Sequence, residues 1–409
     1  MSLLTQASLV LTPNAYKANK LYSIIPSSGS GDMATTRATT ATRVNSSGVI
    51  ESVAIGIPRV DYSSGVGALL LEPQRTSLLL NSVWDGSSQI PTSWSIIGGG
   101  VSTRLTSIKN PNVGAYNFIS TSVNRVFFYQ SQTFTINTTS SLSVYVEQAL
   151  APTQVNQLLD VVNATGTKTF LKNNVSINSS EIIQQGNIYT LVFAATATTT
   201  GSEVRVGMHN SGTVANVTLS MPQLELGAYA TSYIPTTTST VTRNKDDITK
   251  TSVSTDILNA SEGTFYVEIS ALANDLTSRT ISLSDNTDFN QIAIQFSNVS
   301  NIIRLDTYGQ TGVGTTTNYR SNVTVSNTTT FHKCLIRWKA GEIFGYVDGV
   351  KYTLTYAAGT VGGSGIPTAL NRIDFNVFWG GNTFYGKCKA MQIYKTALSD
   401  AECASLTTL

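Results

Sequence analysis

Residues 332–355 read HKCLIRWKAGEIFGYVDGVKYTLT. The runs on either side of Asp348-Gly349 read as strands, and an Asp-Gly pair between such runs is a strong two-residue hairpin signal, because both turn positions take positive φ. Working outward, the same grammar of short apolar runs closed by turn residues continues. EGTFYVEISAL (262–272), RTISLSD (279–285), NQIAIQFSN (290–298) and IIRLDTY (302–308) precede the hairpin, and NRIDFNVFWGG (371–381) and YGKCKAMQIYKTAL (385–398) follow it. The run closes in LSDAECASL, the one convincing helix: Ser399 is a good N-cap, with Glu402 three residues on as a capping box.

A second set lies upstream. RVFFYQSQTF (125–134), SLSVYVEQAL (141–150), TKTFLK (167–172), IYTLVFAATA (188–197), SEVRVGMHN (202–210) and NVTLSMPQLEL (216–226) recur with turn chemistry between them. Ser143, Tyr145 and Glu147 alternate with Val144 and Val146, the period of a half-buried strand. The chain is therefore expected to be all-β: an N-terminal extended arm with small hairpins (1–82), a jelly-roll type antiparallel β-sandwich (83–235), a linker (236–252), a second antiparallel sandwich (253–409), and the short C-terminal helix. The charge cluster Arg243–Asp247 reads as a solvated boundary in that linker.

Composition agrees. Charged residues make up 12% of the 409, about half the roughly 25% of ordinary globular chains, while hydrophobic residues make up 41%. That is not the balance of a disordered chain. The net charge is +2 with no run of basic residues, which argues against direct nucleic-acid binding, since phosphate neutralisation needs clustered cations. No stretch approaches the roughly 18 apolar residues of a membrane span, and the N-terminus lacks the basic region and apolar core of a secretory signal. Membrane insertion is not expected. Cys334, Cys388 and Cys403 are odd in number and show no CxxC spacing, so buried reduced thiols are expected, in a chain made in a cytoplasm.

Within this charge-poor chain, PRVDYSSGVGALLLEPQRTSLLLNS (58–82) gathers Arg59, Asp61, Glu72 and Arg75. It reads as a structural joint formed by Arg59, Asp61, Tyr62, Glu72, Pro73 and Arg75: Pro73 suits the second position of a tight turn, and a Glu72–Arg75 pair across it would fix the register of the flanking leucines.

Two resemblances rest on these stretches. EGTFYVEIS, YVDGVKYT and FYGKCKAMQIYKTALSDAECASL resemble the concanavalin A-like, laminin-G type sandwich, which implies that fold over about 145 residues and little about function. ATRVNSSGVIESVAIGIPRVDY (41–62), LLLEPQRTSLLLNS (69–82) and QLELGAYATSYIPTTTSTVTRNKD (223–246) resemble tailed-bacteriophage virion proteins of the fibre, appendage and head-decoration kind, in which an arm precedes a carbohydrate-module-like sandwich. Ser77 departs from the Asn usual in that pattern. The resemblance implies a structural virion protein, made in the bacterial host cytoplasm, attached to head or tail through its arm. Its partners would be capsid, portal or tail proteins and further copies of itself, with a homotrimer as the expected fibre state. The rival reading is an adhesin that binds host-surface polysaccharide.

Chemistry-bearing motifs are sparse. The Glu-x-Asp-x-x-Glu sign of concanavalin A-like hydrolases is missing, and His209 and His332 are the only histidines, so no enzyme activity, no cofactor and no catalytic residue is expected. Trp84 and Trp94 are the candidate glycan platform, whereas Trp338 and Trp379 lie inside apolar strands and are expected in the core. Asp285 and Asp288, with Asn290, form an Asx-rich turn that is the weak candidate for calcium.

Overall fold

The computed structural model describes residues 3–13, 15–86, 89–121, 124–208, 215–377 and 381–409. His209 and Trp379 lie outside these. The regular structure is nearly all β, and the chain divides into two compact units: residues 1–38, 54–73 and 245–409 form the first, and 39–53 and 74–244 the second.

The first unit is a sandwich. Its eight-stranded sheet centres on Gly263–Ala271, flanked by His332–Lys339 on one side and Gly386–Tyr394 on the other. Its ten-stranded sheet runs through Asp247–Lys250, Arg372–Asp374, Arg279–Ser284, Gln291–Phe296, Ile302–Gly312 and Thr315–Thr324. Alternate residues of each sheet meet in one core: Phe265, Val267 and Ile336 from the first, Ile281, Ile294 and Leu305 from the second. Trp338 is part of this core and donates through Nε1 to Ala260 O at 3.0 Å. The Asp348-Gly349 hairpin forms with both residues at positive φ, and the C-terminal helix spans Asp400–Thr407 with the Ser399–Glu402 capping box in place.

The stretch expected as an extended arm is instead divided between the units, with residues 1–38 and 54–73 built into this one. Leu9–Leu11 pairs with Met391–Ile393, and Ala68–Leu71 pairs further along the same strand, at Gly386–Cys388. Leu9, Leu11, Leu21 and Met33 are core residues. Short strands with both faces apolar cannot stay solvated, and here the chain's own sheet supplies the cover. The hairpin Ala41–Val44/Ile50–Val53 forms as the turn at Asn45 requires, within the second unit.

The second unit is also a sandwich, of seven and four strands, with the upstream strands of the sequence reading in place. Phe118, Leu142, Val144, Leu191 and Leu219 of the larger sheet meet Val126, Phe128, Val204 and Val206 of the smaller. The three cysteines are free and buried, and burial pushes the Cys388 and Cys403 thiols up to about 12. Among the described residues, no helix is long and apolar enough to cross a membrane.

Candidate functional site

Ile281, Leu283, Ile292, Ile294, Ile303, Leu305 and Ile373 fill the core of the first unit, so strand alternation turns their neighbours to the outer face of the ten-stranded sheet. Register aligns these neighbours in rows. One row runs Thr249, Asp374, Ser282, Ala293, Asp306, Arg320, and the next runs Arg372, Ser284, Gln291, Tyr308, Asn318. The middle strands carry small side chains and the flanking ones long polar side chains. The result is a polar strip whose middle, at Ser282 and Ala293, is buried, with Ser282 Oγ donating to Asn376 O at 2.7 Å.

Each end of the strip has its own chemistry. At one end Asp306 accepts from Arg320 Nε at 2.6 Å and Asn318 Nδ2 at 3.3 Å, with Arg304 Nε 3.5 Å away. Arg320 Nη2 also donates to the Tyr308 hydroxyl at 3.3 Å. Burial and the Asp306 charge push the Tyr308 hydroxyl up, so it stays protonated. At the other end Asp374 is fully buried and accepts from Arg372 and Thr249. Phe375 N donates to Ile248 O at 3.3 Å, which carries the register on so that Asp247 lies diagonal to Asp374 on the same face. Such diagonals are about 7–8 Å. Three strand spacings, about 14 Å, separate Asp374 from Asp306. Among the described residues, the polar atoms Gln291 Nε2, Thr280 Oγ1 and Arg304 Nε of the face are buried without a hydrogen-bond partner, an arrangement that favours a ligand able to supply one.

The structure places the sequence-predicted residues elsewhere. Trp84 is 0% exposed and stands edge-on to Tyr116 and Phe128 at ring distances of 5.4 and 5.8 Å, and Trp94 packs beside it and donates Nε1 to Asn81 O. Both are core residues of the second unit, not an exposed platform; large aromatics bury more apolar area than any other side chain and close this core. Asp285 accepts from Thr287 N at 2.9 Å and Asn290 Nδ2 at 2.7 Å, an Asx turn with its oxygens bonded to the chain, while Asp288 is exposed. Among the described residues no group of His, Cys, Asp and Glu gathers around a metal position. His332, the remaining histidine of the sequence reading, is buried against Asp348 at 2.6 Å.

The joint residues divide. Arg59, at 0% exposure, donates to Glu72 at 2.6 Å and to Asp246, while Arg37 donates to Asp246 at 2.9 Å and to Ala54 O and Ile57 O. Burial pulls the Arg59 guanidinium down, and the Asp246 and Glu72 charges more than offset it. Glu72 thus pairs with Arg59, not with Arg75. Asp61 accepts from Ser63 N at 3.0 Å at the turn and from Lys387 at 3.0 Å. Tyr62 lies close against the turn: a Cβ on Gly67 would stand 3.1 Å from its ring. Pro73 is the last residue of that segment of the first unit. Arg75 belongs to the second unit, over the Tyr229 ring and 3.9 Å from the buried Glu225. Arg243 and Asp246, read as solvated, are both buried, because the cluster supplies the charges that two buried networks require.

The sequence reading did not single out Arg304, Asp306, Arg320 or Arg372. IIRLDTY carried the signal: Arg304, Asp306 and Tyr308 alternate with Ile303 and Leu305, three polar outer positions on one strand of a charge-poor chain.

Residues 194–395 match the family described as Glycosyl hydrolases family 16. This overturns the expectation that the chain is not an enzyme, which rested on a missing local motif. No curated protein matches the chain. Among solved structures it is similar to the CBM40 of the Ruminococcus gnavus IT-sialidase. The form bound to alpha2,3 sialyllactose gives 14% identity over 36% of this chain and 84% of that one at a TM-score of 0.29, and the CBM40 alone gives 12% over the same shares at 0.29. Scores this low carry no argument; the family match and the strand architecture suggest a glycan-related β-sandwich fold.

Proposed function

We propose that the protein is a glycan-directed virion component of a tailed phage that holds polysaccharide along the outer face of its ten-stranded sheet. The observation that carries the glycan reading is this polar strip inside the matched region, with Gln291 Nε2 and Thr280 Oγ1 buried and unpartnered. Saccharide hydroxyls, which donate and accept, complement such a surface. The virion station rests on the three stretches that resemble phage appendage and decoration proteins; on that reading the partners are head or tail proteins and further copies of the chain. Attachment then falls to a surface other than residues 1–38, whose strands are taken up by the first unit's own sheets. The test is a polysaccharide array probed with the intact chain and with Gln291→Leu. Wild-type binding that the variant weakens supports the reading, and binding indifferent to Gln291 places any glycan elsewhere.

Hydrolysis is a second reading, favoured by the family match. A glycosidase flanks the scissile bond with two carboxyl groups roughly 5–10 Å apart. Asp247 and Asp374 lie on a ladder diagonal whose backbone separation of about 7–8 Å admits that spacing, while Asp306, three strands away, is too far from Asp374 to share a bond with it. Release of reducing ends by the wild type, lost in both Asp247→Asn and Asp374→Asn, supports this reading. Release unchanged in the two variants refutes that assignment.

A further inference from the structure

One end of the strip holds more positive charge than its carboxylate takes up. Arg304 and Arg320 both turn to Asp306, which can balance only one of them. Arg320 is engaged through Nε by Asp306 and through Nη2 by Tyr308. Arg304 is held more loosely: its Nε lies 3.5 Å from Asp306, is buried, and is out of alignment for a hydrogen bond. The two arginine side chains keep partial exposure, 20% and 30%, although Arg304 Nε itself is buried. Beside them, Tyr308 accepts from Arg320 and retains its own hydrogen to give, and Gln291, directly across the ladder from Tyr308, has its amide nitrogen unpartnered.

These groups are alike in offering donors. A neutral sugar presents hydroxyls that both give and take hydrogen bonds, and gains little from a site made of donors with a surplus cation. A carboxylate accepts only, through two oxygens, and matches the fork of a guanidinium. We propose that Arg304, Arg320, Tyr308 and Gln291 bind the carboxylate of an acidic sugar residue, so that the polysaccharide taken by this face is anionic. The proposal rests on the glycan reading of the same face and names its substrate class.

Titration calorimetry with the intact chain tests it, using oligogalacturonate as the acidic probe and a neutral galactan oligosaccharide of matched length. The expected result is binding of the acidic probe that weakens with salt, weak binding of the neutral one, and a loss of about 10- to 100-fold for Arg304→Gln. Arg304→Lys, which keeps the charge and loses the fork, falls between. Gln291→Leu removes a donor without touching the ion pairs and also weakens the acidic probe, which keeps the test decisive should an arginine variant fold poorly. Equal binding of both probes by wild type and Arg304→Gln overturns the anionic assignment and leaves the glycan reading standing. Binding of neither probe nor any other polysaccharide overturns both.

Discussion

Two arginine–carboxylate clusters of the first unit invite comparison. In one, Arg37 and Arg59 share Asp246 and Glu72, and none of the four is exposed enough to reach water freely. In the other, Arg304 and Arg320 share Asp306, which is as buried as Glu72, while the two arginine side chains are part-exposed. The first cluster balances two cations with two anions and adds backbone carbonyls as acceptors. The second leaves one cation over. Buried ion clusters are held by the cost of breaking them, since removing one partner strands an uncompensated charge. Part-exposed ones contribute little to stability and remain free to meet a ligand. The same residue types therefore do opposite work, and burial and charge balance decide which.

Breaking the buried cluster has the largest expected effect. Arg59→Met leaves Glu72 and Asp246 with one cation between them and is expected to lower the unfolding free energy by about 3–5 kcal/mol, read as a fall in the urea midpoint at unchanged slope. A loss below about 1 kcal/mol would show that the cluster is not the joint described here.

A buried carboxylate of the second unit sharpens the contrast by pH. Glu225 accepts from Thr231 N and Oγ1 at 2.8 Å and from Gln223 Nε2 at 2.7 Å, near Arg243 and Arg75, yet burial outweighs these and pushes it up to about 7. Its folded pKa exceeds the unfolded value of about 4.3, so the folded state holds the extra proton between these limits. The stability it contributes is complete below about pH 4 and is lost as pH rises through about 7. The unfolding free energy of the wild type should fall between pH 5 and pH 8, and Glu225→Gln should flatten that fall. Asp400 and Glu402, held down by Lys351 and Ser399, act at lower pH and leave this window clear.

The legible part of this protein was its strands. Alternation and turn residues marked the runs that became Val126–Phe134, Ile188–Ala195, Gln291–Phe296 and the Asp348-Gly349 hairpin, because each carries its own period and punctuation. Thr315–Thr324 escaped, since TTTNYRSNVT has no apolar period and becomes a strand only by pairing with Ile302–Gly312. Arg59 and Glu72 stood out as charges in a charge-poor segment, but their partner Asp246 lies 174 residues beyond Glu72, a distance that local turn chemistry cannot reveal. The tryptophans misled for the opposite reason: a Trp at a domain entry reads as a platform, and only the closed core shows it has no free face. The acidic-sugar end of the strip assembles from three strands, with Arg304, Arg320 and Gln291 each unremarkable in its own segment.

The most direct measurement of the central distinction takes Arg304→Gln through both urea unfolding and oligogalacturonate binding. The expected outcome is an unfolding free energy within about 1 kcal/mol of the wild type, together with affinity reduced by about tenfold or more. A destabilisation comparable to that of Arg59→Met, with affinity per folded molecule unchanged, would contradict the account and make the outer cluster one more structural joint.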